Sequence, residues 1–390
     1  GIPFADGYAD YFTLINERDG GVGGVPIELI ECETGYSTEK GVECYESTKG
    51  SGALLYQPLS TGITYNIIPK TAVDNIPVHS MGYGRTSAAN GKVFKWVFNY
   101  PTNYWNGASV AIKHILDQEG GDINGKTIAL LFLNGAYGKE PIPTLEALAQ
   151  KHGYDLMLLP VEGATMQDQK SQWLKIRQQK PDYVLMWGWG AMNPAAIQEA
   201  VNIRFPMDKF IGIWWSASEN DVLPAGAGAD GYKALAIHAP GSDFPLYDDL
   251  QSFVYDKGMA AGSGDQSGTV LYNRGIYAAM LAVEAVKTAQ EIAGVAEINA
   301  SQMRDGMEAL DMSAEKMAAL GLPGFGPEFK VTCENHGGNG LAAVQQWDAT
   351  AKTWSLITDY IEPDAEVVDA LIAADSAAYA AENNIAERCG

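Results

Sequence analysis

Short apolar, β-branched or aromatic runs of strand length recur along the first part of the chain: ALLYQ, IPVHSM, TIALLFL, YDLMLLP, DYVLMWGW, KFIGIWW and ALAIHA. Between most of them lie amphipathic segments of helix length, at 105–118, 140–152, 167–179 and 194–204. This alternation constrains the fold more than any other feature. Strands that alternate with helices at such spacing form crossover units, which build parallel sheets covered on both faces. The number of strand-like runs suits two such sheets, and 390 residues exceed what one compact core normally organises. The expected class is α/β, with two parallel sheets.

The ends of the chain add detail. Phe4, Tyr8, Phe12 and Ile15 share one helical face, and NERDGGVGG (16–24) closes that helix in glycine. PIELIECE (26–33) alternates like a strand and leads to a polar helix around 38–49. Residues 268–293 read as one long Ala-rich helix and 300–320 as one or two more. LAAVQQWDATAKTWSLI (341–357) reads as a hairpin with its polar turn at Asp348–Lys352, and 363–386 as a final helical tail. No apolar run approaches the roughly 20 residues that span a bilayer.

Forty-eight acidic and 26 basic side chains leave a formal charge of −22, which repels nucleic acid and anionic membrane, so neither is an expected partner. The four cysteines fall into two local groups. The favoured pairing is Cys32 with Cys44 and Cys333 with Cys389, in an oxidising compartment; four buried free thiols are the alternative. No CxxC spacing occurs and the five histidines, at 79, 114, 152, 238 and 336, are scattered, so no metal site is expected.

Enzyme motifs fare poorly. GAGADG (226–231) matches GxGxxG by letters, but a dinucleotide fingerprint follows a strand and opens a helix, whereas these glycines follow a loop and precede YKALAIHA. Nucleophile elbow, phosphate loop and HExxH helix are all absent from the sequence. His79 and His336 read as hydrogen-bonded structure. No cofactor and no catalytic residue is expected.

In open parallel sheets, ligands bind beyond the carboxyl ends of the strands. The segments there are PLSTG (58–62), MGYGRT (81–86), NGAYGK (134–139), WGWGAMNP (187–194) and WWSASEN (214–220), rich in small residues, hydroxyls and aromatics. In this order they resemble the type I periplasmic binding proteins of the leucine/isoleucine/valine-binding family, solute receptors of bacterial ABC transporters. INERDGGVGGVPIELIECE is similar to that family's Asn-Glu-x-Gly-Gly stretch before its second strand, NGAYGK to its Tyr-Gly turn, and DYVLMWGWGAMNPAAIQEA to the strand and helix of its cleft wall.

The resemblance implies two Rossmann-like lobes with parallel sheets, joined by a hinge of three crossovers near 118–124, 238–245 and 328–342, closing on a small solute. The lobes would comprise 1–120 with 242–330 and 121–241 with 331–362, followed by a C-terminal helical tail, 363–390. It also implies a strand and short loop ahead of the helix that opens this sequence, a signal peptide in the precursor, a periplasmic location and a membrane permease as partner. A monomer or weak dimer is expected.

Carried over by position, Leu59, Ser60, Thr61, Ser80, Gly82, Tyr83 and Arg85 face the solute from the first lobe, joined by Tyr272. Tyr137, Trp187, Trp189, Met192, Trp214, Trp215 and Ser216 face it from the second. Amino acid receptors of the family carry an acidic residue near the start of the loop after FIGI; here Trp214, Trp215 and Ser216 stand there and Glu219 comes later. A buried ammonium without a carboxylate is costly, which argues against an α-amino acid. Trp189 and Trp215 read as a wall for a flat ligand, Trp187 and Trp214 fit wall or core equally, and Trp173, Trp347 and Trp354 read as core. Arg85 is either a carboxylate clamp or a solvated loop residue, with Arg274 a second candidate. The expected activity is capture of an aromatic or apolar carboxylate for an ABC importer. The alternatives are a branched-chain amino acid or amide, a methylated cationic amine, or a ligand-sensing domain outside transport.

Overall fold

The structure, a computed structural model, describes residues 1–389. The chain divides into two compact units, the first comprising 1–103, 242–339 and 372–390, the second 104–241 and 340–371. The boundaries expected in the sequence fell at 120/121, 241/242, 330/331 and 362/363.

The second unit is built on one seven-stranded sheet. Its strands are β1 (Thr127–Leu133), β2 (Asp155–Val161), β3 (Tyr183–Trp187), β4 (Phe210–Gly212), β5 (Lys233–Ala236), β6 (Ala343–Asp348) and β7 (Thr353–Leu356). They lie in the order β7-β6-β5-β4-β3-β1-β2. Every pair from β2 to β5 is parallel, and β6 joins β5 and β7 antiparallel.

TIALLFL and YVLMW are buried almost throughout because helices cover both faces of the central strands, while the edge strand DLMLLPV is largely open and alternates exposed and buried only at 158–161. Pro160 sits on that edge strand, where a missing N–H costs no ladder bond to a further neighbour. The crossover helices are Ile142–His152, Lys170–Gln179 and Met192–Ile203. They end at Gly153, Lys180 and Arg204, each left-handed (φ 72°, 52° and 59°) with its N–H returned to a carbonyl of the last turn. The β6–β7 hairpin turns where the Asp348 carboxylate accepts the N–H groups of Thr350 and Ala351. GAGADG precedes β5 and opens no crossover helix.

The first unit is helix-rich and poor in sheet. The Ala-rich segment forms one helix, Val270–Ala293, whose first half is almost wholly buried against the opening helix, Ile2–Asp19. Glycines set that approach: a Cβ on Gly7 would lie 2.2 Å from the Tyr272 carbonyl oxygen, and one on Gly275 would lie 2.1 Å from that of Phe4. The 300–320 segment resolves into helices Ala300–Glu308 and Ala314–Ala319.

Strand Val78–His79 pairs parallel with Val97–Phe98, and ALLYQ contributes only a bridge, Tyr56 to Val78. The strand expected at PIELIECE does not form. Among the described residues it finds no ladder partner; it is held instead by the Asn16 side-chain amide, which bonds both the N–H and the carbonyl of Ile27 at 2.8 Å, and by the Cys32–Cys44 disulfide.

Both expected disulfides are present, Cys32–Cys44 and Cys333–Cys389, and both lie in the first unit. The segment read as a separate tail is a helix, Ala365–Asn383, divided between the units. Its start is held in the second unit by Lys151, bonded to Asp364 and Glu366 at 2.8 Å, and its end in the first by Asp375 and Tyr379.

Candidate ligand-binding site

In the second unit, three loops leave the carboxyl ends of β1, β3 and β4 and meet at one residue. The Gly188 carbonyl accepts from Tyr137 Oη (2.9 Å) and Ser216 Oγ (2.8 Å), and the Gly188 N–H donates back to Ser216 Oγ (3.3 Å). A side chain at 188 has no room, since a Cβ would stand 2.3 Å from Asn193 Oδ1. Asn193 in turn donates to the Trp215 carbonyl (3.0 Å) and to Asp221 Oδ2 (3.1 Å). Ser216 is fully buried and also accepts Tyr232 Oη on its carbonyl at 2.8 Å. Tyr137 and Ser216 therefore fix the loops in place.

The tryptophans separate into two roles. Trp214 is fully buried and stacks on Tyr104 with ring centroids 5.8 Å apart and planes 13° apart; Trp187 meets the same ring edge-on at 6.4 Å, and Tyr137 lies 5.3 Å away. Both tryptophans are core, the outcome the sequence left open. The strand ends at Trp187, so the alternation that would place Trp187 and Trp189 on one face stops applying there. Trp189 is half-buried and meets Trp215 at 5.6 Å with the rings 85° apart. These two form a right-angled corner instead of a flat wall. Met192 is buried at the start of its helix, and its carbonyl accepts from Gln169. Trp173, Trp347 and Trp354 are core residues.

The loop after β4 carries a buried acid that the sequence reading passed over. Asp221 accepts from the Ser218 N–H at 3.1 Å as well as from Asn193, and burial pushes its carboxyl up to about 6. Glu219, the acid singled out in the sequence, opens the short helix Glu219–Val222 instead. The signal for Asp221 was Ser-x-x-Asp, a capping-box spacing, and both reciprocal bonds of that box are made.

In the first unit, Leu59, Ser60, Thr61, Gly82 and Tyr83 come together. The Leu59 N–H donates to Tyr83 Oη (2.9 Å), which donates to the His79 carbonyl, while Thr61 Oγ1 accepts the Gly84 N–H. Ser60 caps the helix Thr61–Asp74, its Oγ accepting the Ile63 N–H at 3.3 Å. Gly82 takes φ 68°, which the tight turn needs. Ser80 Oγ donates to the Phe98 carbonyl, and Ser80 is buried.

Two predicted residues are committed elsewhere in this unit. The Arg85 guanidinium bonds Asp375 (2.6 Å) and Ser87 (2.8 Å) and lies over the rings of Tyr65, Phe94 and Tyr379, at 5.4, 5.4 and 4.7 Å. Tyr272 is buried, with its hydroxyl bonded to Asp10 (2.7 Å) and Tyr255 (2.5 Å), an arrangement that drives its phenol well above the ordinary range through burial. His79 stacks on Tyr100 at 4.3 Å and burial holds its imidazole down at about 4, so it stays neutral.

A family model described as periplasmic binding protein matches residues 1–352. The chain belongs to the periplasmic binding protein family. That family consists of solute-binding proteins of transporters and not of enzymes. Among solved structures, one from the Pseudomonas fluorescens group, described as an ABC transporter permease, is 38% identical with a TM-score of 0.92, over 100% of this chain and 95% of that one. A branched-chain amino acid ABC transporter protein from Thermus thermophilus with bound valine is 18% identical, with a TM-score of 0.78 over 95% and 94% of the two chains. A fatty acid ABC transporter substrate-binding protein from Thermomonospora curvata is 17% identical, TM-score 0.76, over 95% and 89%. No curated protein matches the chain. Among the described residues, no helix is long and apolar enough to cross a membrane, and no group of three His, Cys, Asp or Glu could hold a metal ion.

Proposed function

We propose that this family member is a periplasmic receptor that captures a small aromatic or apolar carboxylate by lobe closure and hands it to the permease of an ABC importer. The observation that carries the solute class is the corner of Trp189 and Trp215 at the strand ends of the second unit, with Trp189 half-buried. A half-buried tryptophan there offers a ring face to a flat or apolar body, and aromatic pairs add about 0.5–1.5 kcal/mol beyond area burial. For the carboxylate we assign the amino end of the helix Thr61–Asp74, where Ser60 and Thr61 bring hydroxyls and unspent backbone N–H groups. Arg85 and Tyr272 are left out, because their polar atoms are bonded within the first unit.

One observation favours a second reading. Asp221 is a buried carboxylate in the loop after β4, and it would answer the ammonium of an α-amino acid. A thermal-shift screen of benzoate, octanoate and valine separates the two, since a ligand at 100 times its dissociation constant adds about 2.7 kcal/mol. The carboxylate reading expects benzoate or octanoate to raise the melting temperature. A rise with valine alone, abolished by Asp221→Asn, would replace it with the amino acid reading.

A further inference from the structure

A cavity of about 370 Å³ lies in the first unit, bounded by the helix Thr61–Asp74, the segment Lys92–Val97 and residues 385–388. None of the residues assigned to the solute site lines it. Its floor is apolar: Ile68, Val93, Phe94 and Val97 form a buried cluster on which Tyr379 and Ile385 pack. The wall is anchored, because the Cys333–Cys389 disulfide follows Arg388 directly and Arg388 Nε donates to the Gly91 carbonyl at 2.9 Å.

The rim is cationic, which is unexpected on a chain of charge −22. Lys92 is paired with Glu334 (3.2 Å), Arg388 with Glu308 (2.5 Å), and Arg304 with Asp305. Lys95 has no such partner: among the described residues it forms no ion pair, and its ammonium stands 5.1 Å from the centre of the Trp96 ring, over which Arg304 also lies at 4.9 Å. Burial, with Arg304 and Arg388 close by, lowers the Lys95 ammonium against the opposing pull of Glu308 and Asp305, and no acid among the described residues forms an ion pair with it.

We propose that this cavity is a second ligand site, for a small amphipathic anion whose apolar body rests on Ile68, Phe94 and Val97 and whose acidic head meets Lys95. An apolar floor supplies most of the affinity for such a ligand and a charge-assisted bond orients it. The probe is 8-anilinonaphthalene-1-sulfonate, whose fluorescence rises in an apolar site. Three variants at exposed or half-buried positions keep the fold intact: Lys95→Glu reverses the head contact, Ala72→Phe fills the mouth from the helix surface, and Trp189→Ala alters only the proposed solute site. The expected result is one site on the unaltered protein, weakened about tenfold by Lys95→Glu. Ala72→Phe should remove it and Trp189→Ala should leave it unchanged. The proposal is overturned if the unaltered protein does not bind the dye, if Lys95→Glu and Ala72→Phe bind it as the unaltered protein does, or if only Trp189→Ala loses it.

Discussion

The two units reach compactness by different means. The second holds a seven-stranded sheet and no disulfide; the first holds both disulfides, Cys32–Cys44 and Cys333–Cys389, and its paired strands are two residues long. A continuous ladder satisfies backbone groups and aligns strand ends without covalent help. Where the ladder is short, cross-links that restrict the unfolded chain and close helix–helix packing take over that task. The difference bears on function, since the unit with the regular sheet is the one whose strand-end loops converge on a single residue, Gly188.

Reduction of the disulfides should separate the units most. Chain-entropy arguments give about 4 kcal/mol for the bond spanning 56 residues and about 3 kcal/mol for the one spanning 12. Hydrogen exchange after reduction should rise in the helices of the first unit and leave β1 and β3 protected; equal loosening of both units would break the comparison. Trp214→Ala should come next, costing about 3–5 kcal/mol in denaturant unfolding, because a fully buried ring leaves a cavity. The same change at half-buried Trp189 should cost about 1 kcal/mol or less.

A smaller effect is expected from Gly188→Ala, about 1–3 kcal/mol, as the added methyl group meets Asn193 and forces the loops apart. Solute affinity should fall with it, measured by calorimetry. The last contrast is in pH. Burial raises Asp221 to about 6, above its unfolded value, so the folded form binds the extra proton and stability falls as pH rises from about 4 to 6. Burial also raises Glu308, but bonds from His336 and Arg388 overcome it and hold the carboxyl at about 2, so its contribution is present above its unfolded value and is lost as pH falls toward 2. Denaturant titrations of Asp221→Asn and Glu308→Gln should each flatten the profile in one of these windows only.

Much of the second unit was legible in the sequence, and the reason is local. Apolar runs of strand length, the glycine that closes Ile142–His152 and the Asp348 turn carry their structure in neighbouring residues. PIELIECE alternates as convincingly as many edge strands, yet a strand needs a partner, and alternation alone cannot supply one. The site was legible as a set of loops but not as a set of side chains. The pairing of Arg85 with Asp375 spans 290 residues, and nothing near Arg85 announces it. Trp187 and Trp214 turned inward on Tyr104, a residue with no motif of its own, while Trp189 and Trp215 meet at a right angle that no local pattern announces.

The central claim is that the corner of Trp189 and Trp215 receives a flat or apolar acid. Titration calorimetry with benzoate tests it most directly, on the unaltered protein and on Trp189→Ala. The expected result is one site per chain, weakened about tenfold or more when the ring is removed, at nearly unchanged stability. Benzoate bound equally well by both proteins, or a protein that binds valine and ignores benzoate, would contradict it.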